Sequence, residues 1–267
     1  MKTIEMTSAT NETVRNEETT ELSIRAQGVS RRFGRRWALA NVDLEVAKGR
    51  ALMVAGHNGS GKSTLLRVIS TALRANRGRV LVDGFDARSD LEEVRRRVAL
   101  LGHFSNTYEA MSAFQNLSVV ARLLGYTGSR EEVIEILERV GLADRADDPV
   151  SSFSAGMRKR VAIARLLLQV DGPAGSDENV TKAGIVLLDE PYGQLDPQGF
   201  RFVDDLILSL KERGTTLLLA THLLDRGGSL CDDGMVLANG RVVWSGGSKD
   251  LRQESGLEPI RVPEEVN

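Results

Sequence analysis

Short apolar runs separated by turn residues recur along most of the chain and predict an alternation of strands and helices. Residues 22–24 and 42–46 alternate apolar and polar side chains, which is typical of antiparallel strands with one buried face. Other runs are almost continuously apolar, at residues 51–55, 98–102, 185–188 and 215–220. Such runs predict strands that are covered on both faces, as in a parallel sheet.

Residues 105–165 break this strand pattern, because apolar side chains there recur mostly at helical spacing. Ser129 and Glu132 predict a capping box, in which each side chain accepts a hydrogen bond from the other residue's backbone N–H group. The inner face of the helix that follows is predicted to consist of Val133, Ile136, Leu137 and Val140, with Gly141 as its stop. We interpret this region as a helical subdomain inserted between strands of the sheet.

Turn residues mark further boundaries. Asp196 followed by Pro197 predicts a helix start, with Asp as the N-cap and Pro in the first helical position. Asn239 and Gly240 stand between two apolar runs and predict a tight β-hairpin. Residues 171–184 lack a large apolar run and predict a flexible surface loop, to which we assign no function.

Composition limits the functions that this chain can have. It has 267 residues, of which 41% are hydrophobic and 27% charged, and a net charge of −2 offers no general attraction for nucleic acid. The single cysteine, Cys231, excludes an internal disulfide. No apolar stretch approaches the ~20 residues that span a bilayer. Residues 1–20 lack the apolar core of a signal peptide and are predicted to be disordered, and residues 251–267 are predicted to form a polar tail.

The most informative motif lies at residues 56–63, which match the phosphate-binding pattern G-x-x-x-x-G-K-[ST] between a predicted strand and a predicted helix. Its glycines let backbone N–H groups point at phosphate oxygens, and Lys62 can reach the terminal phosphates. The hydroxyl group of Ser63 can bind Mg²⁺. The nucleotide-binding residues predicted here are Gly56, His57, Asn58, Gly59, Ser60, Gly61, Lys62, Ser63 and Thr64.

Two further strands end in residues that suit phosphate chemistry. Asp189 follows the run 185–188 and is predicted to bind Mg²⁺, while Glu190 is predicted to polarise an attacking water. His222 follows the run 215–220, on the side of the sheet where the phosphates are expected. The carboxyl ends of parallel strands meet at one edge, so we expect His222 to have a functional role beside the phosphate-binding loop.

A second anion-binding surface is predicted at Ser154, Ala155 and Gly156. Ser154 can cap a helix that begins there, and Gly156 leaves the N–H groups of the helix start uncovered. A single nucleotide needs only one phosphate-binding loop. The second surface therefore requires another explanation.

Together these motifs resemble those of the ATP-binding cassette (ABC) ATPases, in the order in which that family has them. The resemblance covers roughly residues 22–247 and implies an α/β fold. This fold has a P-loop NTPase core with a mostly parallel sheet, an N-terminal antiparallel β subdomain and an inserted helical subdomain at about 105–165. It also implies one ABC ATPase domain at residues 21–250.

The resemblance assigns the second surface to a partner. In the family, the signature matched by Ser154, Ala155 and Gly156 touches ATP held by a second cassette, so that two subunits close around two ATP molecules. Asp196 matches the loop that crosses the dimer seam. Phe33 matches the aromatic residue that stacks on adenine, with Trp37 as its nearby competitor. The implied cofactors are ATP and Mg²⁺, with Ser63 and Asp189 at the metal and His222 at the γ-phosphate.

Three features depart from the family pattern. Phe104 stands where most cassettes have Gln, which helps to bind Mg²⁺ and reports ATP to the membrane partner; His103, Ser105 or Asn106 are the candidates to replace it. Met157 replaces a common Gln after the signature. Gly193 and Gln194 occupy seam-loop positions where other small residues are more usual.

Within the family, the short single-cassette format resembles prokaryotic exporter subunits, and residues 100–103 and 153–168 are similar to the haem-exporter ATPase of cytochrome c maturation. We therefore expect an ATP-hydrolysing subunit that powers a membrane exporter from the cytoplasmic face of the membrane. Its partners are then a separate transmembrane permease and a second cassette, with no nucleic acid. The alternatives are a soluble ABC-type regulator that is not coupled to transport, a weakly hydrolysing cassette and a P-loop GTPase; the last lacks the guanine-reading Asn-Lys-x-Asp motif.

Overall fold

The computed structural model describes residues 21–103, 107–175 and 180–251. The predictions for residues 1–20 and for Phe104, Ser105 and Asn106 lie outside these ranges. So does the predicted C-terminal tail, apart from Leu251. The predicted surface loop at 171–184 is described only in part.

Strands and helices alternate along most of the described chain. The strands are β1 (Leu22–Phe33), β2 (Arg36–Ala47), β3 (Ala51–Ala55), β4 (Arg77–Val82), β5 (Phe85–Asp86), β6 (Val98–Leu101), β7 (Ile185–Asp189), β8 (Thr216–Ala220), β9 (Asp233–Ala238) and β10 (Arg241–Gly247). The α-helices are α1 (Lys62–Ile69), α2 (Leu91–Arg97), α3 (Ala113–Leu124), α4 (Arg130–Arg139), α5 (Ala155–Val170), α6 (Pro197–Glu212) and α7 (Leu224–Leu230). Two short 3₁₀ turns, Ala143–Arg145 and Val150–Ser152, lead from α4 to α5.

The N-terminal strands form an antiparallel sheet in the order β2-β1-β4-β5. Ile24 of β1 lies opposite Val46 of β2 and Val82 of β4. All three side chains are buried, whereas their neighbours on the other face include charged residues. The alternation at residues 22–24 and 42–46 therefore predicted these strands correctly, because one face of the sheet is solvated.

The second sheet has the order β10-β9-β3-β8-β7-β6, and all its pairings except β10 with β9 are parallel. Every residue of β3, β7 and β8 is buried. Side chains alternate between two apolar clusters, so that Met53 belongs to one cluster and Val54 to the other. The continuous apolar runs thus mark strands covered on both faces, and the predicted α/β fold class is confirmed.

Helices α3 and α4 pack against α5, and the predicted inner face of α4 is buried. The predicted capping box is only half correct. Ser129 Oγ accepts a hydrogen bond from the Glu132 N–H group (3.3 Å), but the Glu132 carboxylate accepts from Gly128 (2.7 Å). The Ser129 N–H group is not available to Glu132, because it donates to Thr127 Oγ1. A complete capping box instead begins α3, where Ser112 and Gln115 bond reciprocally.

The predicted hairpin is confirmed and supports the phosphate-binding loop. Asn239 and Gly240 both have positive φ, at 50° and 75°, as a tight hairpin turn requires. The Gly240 N–H group donates to the Ser60 carbonyl (2.8 Å), and the Gly240 carbonyl accepts from Ala40 (2.8 Å). The turn therefore connects β2, the sheet and the phosphate-binding loop.

Replacing Gly240 tests this close approach. An added Cβ would lie 2.6 Å from the Ala38 carbonyl oxygen, whereas a Cβ at Gly84, whose φ is 82°, has nothing within 4 Å. We expect Gly84→Ala to lower the free energy of unfolding by about 1–2 kcal/mol, the cost of a left-handed alanine. Gly240→Ala should cost about 1–3 kcal/mol more, since backbone must shift. Urea denaturation followed by circular dichroism gives both values; equal losses would contradict the close approach.

Candidate functional site

Parallel pairing brings the three predicted parts of the site to one edge of the second sheet. Ala220 of β8 pairs with Val54 of β3 and with Asp189 of β7. The phosphate-binding loop, Glu190 and His222 follow these strands directly, so they lie side by side. This is the edge at which open α/β sheets bind their ligands.

The phosphate-binding loop is shaped by its glycines. Gly61 precedes α1 with φ of 116°, and a Cβ there would lie 2.6 Å from the Ala38 carbonyl oxygen. A Cβ on Gly56 would lie 2.3 Å from the Leu237 carbonyl oxygen. Lys62 folds back, and its ammonium group donates to the carbonyls of Gly56 (2.7 Å) and His57 (3.4 Å). The loop can therefore wrap an anion with its backbone N–H groups.

A cavity of about 450 Å³ opens over this loop. Predicted site residues that line it are Phe33, Asn58, Gly59, Ser60, Gly61, Lys62, Ser63, Thr64 and Glu190. Arg36, Ala38 and His103 also line it and were not predicted to bind nucleotide. Phe33 is 47% exposed, and the Arg31 guanidinium lies 4.7 Å from its ring centre. Trp37 lines a different cavity, together with Arg77, which favours Phe33 as the adenine platform.

Ser63 and Asp189 make a hydrogen bond of 2.9 Å between hydroxyl and carboxylate oxygens. Burial raises the pKa of Asp189, and the bond from Ser63 opposes part of that rise. Both donors are hard oxygen ligands, which suit Mg²⁺. No cluster of three or more His, Cys, Asp or Glu residues that could hold a metal occurs in residues 21–103, 107–175 and 180–251. These two residues fit a cation that takes its remaining ligands from phosphate and water.

The Glu190 carboxylate is held between two basic groups. Its Oε2 lies 2.9 Å from His222 Nδ1, and its Oε1 lies 3.6 Å from the Lys62 ammonium group. Oε1 is buried and accepts no hydrogen bond from the described part of the chain. A carboxylate oxygen in this position can accept a hydrogen bond from a water molecule beside the phosphate-binding loop. The structure thus brings Glu190, His222 and Lys62 together.

The signature residues do not reach this cavity. Ser154 caps α5 by accepting a hydrogen bond from Met157 (3.2 Å), as predicted. Among the described residues that line the cavity, none comes from 154–156. A Cβ on Gly156 would lie 3.2 Å from the Gln194 carbonyl oxygen, so the signature borders the predicted seam loop. Asp196 caps α6 through Gly199 (2.7 Å).

The sequence did not reveal a network of hydrogen-bonded and charged side chains next to the site. The Tyr192 hydroxyl donates to Asp204 Oδ1 (2.7 Å), and the other oxygen of Asp204 pairs with Arg226. Arg226 also lies 5.0 Å from the ring centre of Phe200, which packs edge-on against Tyr192. These residues lie on three separate segments, and no local pattern marks their contact. They fix the seam loop to α6 and α7.

The second missed residue is Lys159, which is 3% exposed. Its ammonium group donates to the Glu190 carbonyl (3.2 Å) and more weakly to the Gly102 carbonyl (3.5 Å). Burial lowers the pKa of Lys159 to about 8, against the opposing charges of Asp189 and Glu190. In the sequence, Lys159 is one of several basic residues on a predicted helix, and nothing in that pattern indicates that it is buried.

No helix in the described ranges is long and apolar enough to cross a membrane. A protein-family model described as ABC transporter matches residues 39–193. Over 244 residues the chain is 38% identical to the daunorubicin resistance ATP-binding protein DrrA3 of Streptomyces coeruleorubidus. That match covers 91% of this chain and 73% of the relative. It is 31% identical to the ABC transporter ATP-binding protein NatA of Bacillus subtilis, over 84% of this chain and 87% of NatA.

Among solved structures, a dimeric bacterial ABC transporter cassette is similar, with a TM-score of 0.72 and 25% identity. That match covers 84% of this chain and 98% of the cassette. The family match spans more than half of the chain and includes the phosphate-binding loop, the signature and the Asp189–Glu190 pair. The chain therefore belongs to the ABC transporter family and is one of its ATP-binding, ATP-hydrolysing cassettes.

Proposed function

We propose that this cassette hydrolyses ATP at the edge of its second sheet and thereby powers a membrane exporter. The observation that carries the proposal is the position of the Glu190 carboxylate. It lies between His222 Nδ1 (2.9 Å) and the Lys62 ammonium group (3.6 Å), next to the Ser63–Asp189 pair. Phosphoanhydride hydrolysis needs this combination of an oriented water and positive charge around the phosphates.

Each residue has a separate task in this reaction. The N–H groups of the phosphate-binding loop and Lys62 bind the phosphates, and Phe33 offers an exposed ring for adenine. Ser63 and Asp189 would hold Mg²⁺, which would supply positive charge to neutralise the phosphates. Glu190 accepts a hydrogen bond from the attacking water and orients it. His222 holds the second oxygen of Glu190 and presents its Nε2 atom for the γ-phosphate.

The functional unit is a pair of cassettes. Ser154, Ala155 and Gly156 do not line the cavity, although Ser154 is exposed and caps the start of a 16-residue helix. A helix start of this kind binds anions, and a second copy can bring it to the phosphates. ATP binding closes the pair, with Asp196 at the seam, and hydrolysis reopens it.

We propose that the cassette works with a separate transmembrane permease, in keeping with its membership of the ABC transporter family. We propose that α3 and α4 pass the opening and closing of the pair to this permease at the cytoplasmic face of the membrane. The export direction is supported by the relative named for daunorubicin resistance, since resistance to a drug is served by its removal. The resemblance to the haem-exporter ATPase remains a prediction from residues 100–103 and 153–168.

Glu190→Gln tests the catalytic assignment. The amide keeps the shape of the side chain but cannot orient water as a base, so we expect kcat for ATP to fall about 100-fold or more. ATP-dependent dimers should persist and can be measured by analytical ultracentrifugation. Glu138→Gln, the same change on an exposed face of α4, is the matched control and should leave kcat unchanged. Wild-type turnover in Glu190→Gln would overturn the role of Glu190.

Ser63→Ala tests the metal site. Losing one oxygen ligand and its bond to Asp189 should raise the Mg²⁺ concentration for half-maximal ATP binding by roughly tenfold or more. Titration of a fluorescent ATP analogue at a series of Mg²⁺ concentrations measures this shift. Ser70→Ala at the other end of α1 should show no shift. An unchanged Mg²⁺ dependence in Ser63→Ala would remove Ser63 from the metal site.

Co-purification tests the permease. Expressed with its neighbouring reading frames, the tagged chain should recover an integral membrane protein from detergent-solubilised membranes after RNase treatment. Leu123→Ser, which changes an 82% exposed apolar residue of α3, should reduce this recovery. Leu208→Ser, at a 45% exposed position on α6, is the control. Recovery of RNA or ribosomal proteins in place of a membrane protein would favour the soluble regulator.

A further inference from the structure

The Glu190 backbone has a conformation that neighbouring groups must hold in place. Its φ is 48°, in the left-handed region that residues with a Cβ seldom adopt. The N–H group of Glu190 donates to the Ala220 carbonyl (2.9 Å), which fixes the amide side to β8. Its carbonyl accepts from the Gly193 N–H group (3.1 Å) and from Lys159 (3.2 Å). The direction of the Glu190 side chain depends on these contacts.

Among these contacts, Lys159 is the one that a helix supplies, whereas Ala220 belongs to the neighbouring strand β8. Lys159 lies on α5, whose first turn is capped by Ser154, and its side chain is buried. A buried ammonium group is costly unless it is paired, so its position against the Glu190 and Gly102 carbonyls is strongly restrained. Gly102 immediately precedes His103, which lines the nucleotide cavity.

One rigid element therefore joins two different reaction centres. Ser154 and Lys159 are five residues apart on α5, which is about 7.5 Å along a helix axis. Ser154 is exposed at the surface that the second cassette's ATP would meet, whereas Lys159 contacts the backbone of this chain's own Glu190. A helix transmits a displacement over so short a distance with little bending.

We propose that Lys159 is a positioning residue, which holds the Glu190 carbonyl and so couples the signature helix to the hydrolytic centre of the same subunit. The proposal rests on the function proposed above. In the paired state, ATP bound by one cassette contacts the signature of the other and, through α5 and Lys159, adjusts the Glu190 that acts on the other ATP. The two ATP sites of the pair then influence each other through α5 of each chain as well as through contacts between the two cassettes.

Lys159→Met removes the ammonium group but keeps an unbranched apolar side chain. We expect kcat to fall roughly 10–100-fold with little change in KM for ATP, because a small misplacement of a catalytic group costs about 100-fold. Lys159→Gln, whose amide can still donate a hydrogen bond to a carbonyl, should recover most of the lost kcat. If Lys159 had only a structural role, kcat would not fall separately from KM, and Lys159→Gln would not restore kcat.

Lys211→Met is the matched control. Lys211 is a half-buried lysine that, like Lys159, donates to a backbone carbonyl, that of Leu230 (2.7 Å), but at the end of α6 and away from the site. Its loss should lower the thermal midpoint and leave kcat close to that of the wild type. If Lys159→Met and Lys211→Met change kcat equally, the effect is one of general stability and the proposal fails.

A double-mutant cycle tests the coupling itself. Ser154→Ala and Lys159→Met should be non-additive, so that the double variant loses less activity than the product of the two single losses. Additive losses would leave Lys159 without a connection to the signature and would overturn the proposal.

Hydrogen exchange at Gly193 is a readout that needs no ATPase activity, since this amide shares the Glu190 carbonyl with Lys159. Exchange at Gly193 should be faster in Lys159→Met than in the wild type, and unchanged exchange would overturn the contact. If the wild type did not hydrolyse ATP, the proposed function would be overturned, but hydrogen exchange at Gly193 would still test the contact.

Discussion

Side-by-side pairing of three buried strands is the constraint on which the site depends. β3, β8 and β7 are parallel neighbours in which Val54, Ala220 and Asp189 share one row. The next residues of each strand must therefore emerge together, and they are the phosphate-binding loop, Thr221-His222 and Glu190. A slip of one residue would exchange the two faces of a strand. Because both faces contact apolar clusters, the detailed packing of these clusters fixes the register.

The same arrangement places like charges in a buried region, and lysines balance them. Asp189 and Glu190 are adjacent in the chain, with Asp189 3% exposed and the Glu190 side chain 12% exposed. Lys62 pairs with Glu190 from the loop side, and Lys159 contacts its carbonyl from the helix side. Both lysines are buried, so each is stabilised by this pairing. A bound triphosphate would bring further negative charge to this region, which Lys62 on the loop side can offset.

The sequence predicts what depends on short-range pattern and leaves open what depends on long-range contact. Apolar runs gave the buried strands, Asn239-Gly240 gave the hairpin, and Asp196-Pro197 gave the start of α6, since each signal lies within a few residues. Glu132 was assigned to the wrong N–H group because Thr127 competes locally for Ser129. The sequence does not distinguish Phe33 from Trp37, which line different cavities in the structure. Lys159 could not be found, because burial of a lysine depends on segments far away in the chain.

The contacts of Asp204 tie the segments that carry Glu190 and His222 to α6. Asp204 lies on α6 and binds Tyr192, which follows Glu190 by two residues, and Arg226, which follows His222 by four residues. The segments that carry Glu190 and His222 are therefore anchored to one carboxylate as well as to each other. Asp196 caps the start of α6, so the seam loop and this anchor share one helix. The position of Glu190 is thus restrained from two helices, through the Asp204–Tyr192 contact on α6 and through Lys159 on α5.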